Sequence, residues 1–134
     1  MGYNIQVIDQ SNPILGWKIF IALFKEGFRV AAGLDDLVIW SREDEFRPHS
    51  IILGDTGSTD RLEACFQLRQ AMDVPIVMLG EVPGADAWCQ AVEAGADCYL
   101  VTPISYPELV NTVKAILRHH YELPAISCDS ISRI

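Results

Sequence analysis

Five short apolar runs, each closing on small or polar residues and each followed by helical spacing or by the tail, divide the 134-residue chain. They are 5–8 (IQVI), 28–32 (FRVAA), 51–53 (IIL), 75–79 (PIVML) and 98–101 (CYLV). Apolar runs of this length between turn residues read as buried strands. Crossovers long enough to hold a helix dictate parallel pairing with helices on both faces. The predicted fold class is therefore α/β, a doubly wound five-stranded parallel sheet in the order 2-1-3-4-5. Its cleft lies where the first and third strands end.

The helical stretches fall between the strands. The first is predicted over 14–24, opened by Asn12-Pro13 and stopped by Lys25-Glu26-Gly27. A second is predicted near 37–45. Asp60 and Glu63 make a capping box for the third, which carries Leu62, Cys65, Phe66 and Leu68. The fourth covers 85–94, ends at Gly95-Ala96, and is expected to turn Cys89 and Val92 to the core. The fifth opens at Ser105 or Tyr106 with Pro107 in its first turn, and fades after His120. Trp17 and Trp40 lie on apolar helical stretches and are expected in or near the core. Residues 1–121 thus form one domain, and 122–134 read as a linker or tail.

Charge excludes one class of partner. The net charge is −8, and nucleic-acid binding needs Lys and Arg for phosphate contacts. No apolar run approaches the ~20 residues that span a bilayer, and the first ten residues lack a signal-peptide pattern. The cysteines Cys65, Cys89, Cys98 and Cys128 show no metal-site spacing. They are expected to be reduced and structural, which points to the cytoplasm.

The stretch RPHSIILGDTGSTD, 47–60, carries the functional question. The topology gathers Asp9, Gln10, Gly54 and Asp55 on the cleft floor, flanked by Gly80 and Thr102. Asp55-Thr56-Gly57-Ser58 matches an aspartic-protease signature, but those enzymes are all-β and use two such aspartates. The string GDTGSTD, 54–60, also resembles the DDGSTD nucleotide-binding loop of family 2 glycosyltransferases, but no later Asp-x-Asp follows and the chain is short. Such short strings recur by chance, and a turn feeding a helix cap uses the same residue types.

The segments DVPIVML (73–79) and GADCYLVTP (95–103), followed by Pro107-Glu108-Leu109, resemble the receiver domain of bacterial two-component response regulators. The resemblance covers roughly 4–119 and implies a receiver, or flavodoxin-like, fold. The tail from Leu117-Arg118-His119-His120 resembles the linker to a winged-helix DNA-binding domain in the OmpR/PhoB branch. DNA contact would then come only through a C-terminal domain beyond this sequence. Receivers phosphorylate themselves on an aspartate, using an acidic pair with Mg²⁺, a hydroxyl and a lysine. The resemblance places the acidic pair on Asp9-Gln10, the acceptor on Gly54 with Asp55 one residue late, the hydroxyl on Gly80 and the lysine on Thr102. The aromatic switch position keeps an aromatic, Tyr99. A one-residue slip turns a strand side chain to the other face, so Asp55 fits only if Gly54 bulges.

These losses together imply a degenerate pseudo-receiver: a phosphorylation-independent, non-enzymatic module of a signalling or transcription regulator. No cofactor is expected, Mg²⁺ entering only if Asp55 is a working acceptor. The alternatives are a receiver phosphorylated on Asp55, and a pseudo-receiver whose cleft holds a small ligand in the room left by Gly54, Gly57 and Gly80. The resemblance also implies a homodimer through the fourth helix, fifth strand and fifth helix. Three charge pairs of the family's dimer fall on Trp88 and Glu108, Cys98 and Thr112, and Asp97 and His119, so no standard ion pair remains. Trp88 is expected on the outer side as the apolar anchor.

Overall fold

The computed structural model describes residues 2–9, 13–32, 47–54 and 60–122. The predicted second helix, Trp40, Gln10, Asp55, Gly57 and Cys128 lie outside them. Five parallel strands, β1 (Asn4–Ile8), β2 (Arg29–Ala32), β3 (Ser50–Leu53), β4 (Ile76–Gly80) and β5 (Cys98–Val101), form one sheet in the order β2-β1-β3-β4-β5. Four described helices connect or cover them: α1 (Pro13–Lys25), α2 (Arg61–Ala71), α3 (Ala85–Ala94) and α4 (Tyr106–Leu117). A π-helical turn, Arg118–Glu122, follows α4 directly. None of the described helices is long and apolar enough to cross a membrane.

Every residue of β1, β3 and β4 is buried, because helices cover both faces of the sheet. Alternate strand residues feed two cores. Ile5, Val7, Ile52, Val77 and Leu79 pack with Ile19 and Leu23 of α1 and with Leu109, Val113 and Leu117 of α4. Ile8, Ile51, Leu53, Ile76 and Met78 pack on the other face with Ala64, Cys65 and Leu68 of α2 and Ala91 of α3.

Local chemistry sets the helix ends. The Asp60 carboxylate accepts from Glu63 N at 3.3 Å, the capping bond expected there, and Glu63 Oε2 accepts from Gln67 Nε2 at 3.2 Å. Ser105 Oγ accepts from Glu108 N at 3.3 Å. Gly95, left-handed at φ 115°, ends α3 as expected.

Two core expectations are corrected. Cys89 is exposed and Val92 is 39% exposed. The fully buried residue of α3 is Ala91, so a small side chain brings this helix close and its larger residues face outward. Trp17 is 61% exposed and stacks on Phe20 at 5.4 Å, with Phe20 in turn 5.9 Å from Phe24. Ile19 and Leu23 supply the buried face of α1, leaving an aromatic row along its outside.

Candidate functional site

The carboxyl edge of the sheet gathers the ends of β1, β3, β4 and β5, as the sequence predicts. Asp9 leaves β1 half-buried. The β1–β3 ladder runs in register to Ile8 and Leu53, and Gly54 N donates to Ile8 O at 2.6 Å. Gly54 therefore continues the strand, with its missing side chain directed at Asp9. A Cβ there would lie 2.9 Å from Asp9 Cγ and closer still to Oδ2. The Asp9 carboxylate occupies the space that a side chain at position 54 needs.

Gly80 repeats the arrangement at the end of β4. A Cβ there would lie 2.6 Å from Cε1 and 2.7 Å from Cζ of Tyr99. The Tyr99 ring lies against the bare Gly80 backbone, and its hydroxyl donates to Val82 O at 2.8 Å. Thr102 is tied to the same glycine. Its N–H and its hydroxyl both donate to Gly80 O, at 2.8 and 3.3 Å. The Thr102–Pro103 peptide is cis.

The structure thus brings Asp9 to Gly54, and Tyr99 and Thr102 to Gly80. Asp9 lies against the bare backbone of Gly54 and Tyr99 against that of Gly80, two of the three glycines to which the small-ligand reading assigned room. Sequence reasoning missed one cation at this edge. Arg61, the first residue of α2, donates from Nη1 to Leu79 O at 2.7 Å and lies 3.4 Å from Glu81. Its place directly after the capping Asp60 was the available signal, since a first-turn residue of α2 sits beside the strand ends. That guanidinium is committed to the β4 carbonyl.

The residues assigned to the dimer face lie on α3, β5 and α4 and on the segments just before β5 and just after α4. Trp88 is half exposed, and Val92 and Val101 are each 39% exposed. Glu108 is exposed and Thr112 half-buried. Asp97 is engaged within its own chain: its Oδ2 accepts from Arg69 Nη2 at 2.7 Å and from Ile76 N at 2.8 Å. His119 stands in the π-helical turn rather than in α4.

Phosphoryl transfer to a carboxylate requires a nucleophilic acid in line with the donor and cations on its oxygens. Among the described residues of this edge, the Asp9 carboxylate lies against a glycine, the Tyr99 and Thr102 hydroxyls turn to backbone carbonyls, and the Arg61 guanidinium is held by Leu79 O and Glu81. At this edge the described side chains of Asp9 and Tyr99 lie where side chains at positions 54 and 80 would stand.

No family model matches the chain. Solved structures are similar over nearly its whole length. A two-component response regulator from Clostridium difficile superposes with a TM-score of 0.79 at 23% identity, covering 90% of this chain and 99% of that one. The BeF3-activated N-terminal receiver domain of RstA from Klebsiella pneumoniae gives 0.75 at 22% identity, covering 86% and 98%. The receiver domain of the Francisella response regulator 1452 gives 0.78 at 17% identity, covering 88% and 98%. The chain has the receiver fold.

Proposed function

We propose that this chain is a pseudo-receiver: a regulatory and dimerisation module of a cytoplasmic signalling or transcription regulator, working without phosphorylation. The observation that carries the reading is the contact of Asp9 with Gly54. An acceptor side chain at position 54 and the present position of Asp9 exclude each other. The Gly80–Tyr99 contact supports it from the neighbouring strand. A hydroxyl-bearing side chain at position 80 would collide with the aromatic ring in its present place. With no phosphoryl group to sense, regulation passes to association. Trp88, exposed on α3 one turn from exposed Val92, is the anchor of a homodimer on the α3–β5–α4 face. DNA would be contacted through a further domain, since this one carries a net charge of −8.

Intact-mass measurement after incubation with acetyl phosphate and Mg²⁺ tests the proposal. The expected spectrum shows the unmodified chain alone. A phosphoryl adduct mapped to Asp55 would overturn the proposal in favour of an active receiver.

A further inference from the structure

The opposite edge of the sheet, where the strands begin, holds a cluster that none of the roles above uses. Tyr3 precedes β1 and His49 precedes β3, and their rings meet edge to face at 5.2 Å. Tyr121, from the π-helical turn, lies 5.7 Å from Tyr3 and 5.4 Å from His49. His120 stacks edge to face on Tyr121 at 4.5 Å. Edge-to-face ring pairs add to the energy of simple area burial.

Hydrogen bonds fix the same contacts. Tyr3 OH donates to Glu122 Oε2 at 2.6 Å, and Tyr121 OH donates to His49 O at 2.9 Å. His49 is itself held, its Nδ1 accepting from Asn4 N at 2.9 Å and its own N–H donating to Asn4 O at 2.7 Å. The Glu122 carboxylate pushes the Tyr3 hydroxyl above its ordinary range, so this donor stays protonated. Five residues wound as a π-helix at the end of α4 thereby place two side chains, Tyr121 and Glu122, against His49 and Tyr3, the residues that lead into β3 and β1. A single-turn π segment is uncommon and commonly marks a functional position.

We infer that Arg118–Glu122 is a docked strap, a conformational device that holds the chain at the amino edge of the sheet where it leaves the domain. The strap ties the end of α4 to the residues that open β1 and β3, so that Glu122 keeps a fixed place on the amino edge. Release of Tyr121 is the step that would free that connection. The inference stands on the amino edge alone and does not depend on the state of the carboxyl edge.

Amide hydrogen exchange and heteronuclear NOE on the full chain test it. In the native protein, amides 118–122 should be protected and as rigid as those of α4. Tyr121→Ala should speed their exchange by about tenfold, the effect of losing ring contacts and one hydrogen bond, with Val7 and Ile52 unchanged. Tyr3→Phe, which keeps the ring and removes the donor to Glu122, should give a smaller change in the same amides. Fast exchange and low NOE at 118–122 in the unmodified chain would overturn the inference. So would a turn indifferent to both substitutions.

Discussion

At Gly54 and Gly80 the missing side chains are replaced by neighbours from other strands, and these two contacts give the residue-scale predictions. Gly80→Thr places new atoms where the Tyr99 ring lies. Overpacking of this kind costs about 1–3 kcal/mol. Chemical denaturation should show a loss in that range, and combining Gly80→Thr with Tyr99→Ala should recover part of it. Strict additivity of the two changes would mean that ring and glycine do not interact. The cysteines give a second test. Burial pushes the Cys65 thiol up to about 11, from an ordinary value of 9.0. The unfolded chain therefore loses this proton first, and between about pH 9 and 11 stability falls as pH rises. Exposed Cys89 should react with a disulfide reagent at neutral pH, while Cys65 stays protected until the protein unfolds. Early labelling of Cys65 would contradict its burial.

Elements were legible in the sequence where punctuation was explicit. Apolar runs ending in Gly, Asp or Thr marked the strand ends, and Asp60, Gly95 and Ser105 marked the helix ends where they occur. What misled was side-chain size. A helix that buries Ala91 looks, by its larger residues, as though it should bury Cys89 and Val92, because periodicity weighs bulk more than closeness of approach. Trp17 was misplaced for the same reason, its exposed ring being stabilised by a stack along α1. The Asp9–Gly54 contact was hidden because it joins residues far apart in sequence; only the topology suggested that they meet. One tie between elements was equally hidden. Arg69 of α2 donates from Nε and Nη2 to Gly95 O, at 3.0 and 2.7 Å, from Nη1 to Val74 O at 2.9 Å, and from Nη2 to Asp97 at 2.7 Å. It links α2 to the turns that lead into β4 and β5. Charged hydrogen bonds of this kind make Arg69→Ala cost about 2 kcal/mol. The denaturation midpoint should fall with the slope unchanged. A loss within roughly 0.5 kcal/mol would mark it as an ordinary surface residue.

For the whole molecule, the described residues of the receiver fold present two sheet edges, the aromatic row outside α1 and the apolar face around Trp88. At the carboxyl edge Asp9 lies against Gly54 and Tyr99 against Gly80, at the amino edge Tyr121 and Glu122 bond His49 and Tyr3, and the α3–β5–α4 face carries Trp88. Exposed ion pairs contribute only about 0–1 kcal/mol each, so a contact that replaces them with a buried aromatic need not be weaker. Sedimentation of the unmodified chain at tens of micromolar should show a dimer, and Trp88→Ala should convert it to monomer. A monomer at that concentration, or a dimer indifferent to the substitution, would contradict the assembly. The central claim is that the carboxyl edge no longer responds to a phosphoryl group. It is tested most directly by following the amide resonances of Gly54, Gly80 and Tyr99 while beryllofluoride and Mg²⁺ are added. The account predicts no saturable shift at any of the three. Saturable shifts that spread from Gly54 to Gly80 and Tyr99 would show a working acceptor coupled to its switch, and would contradict it.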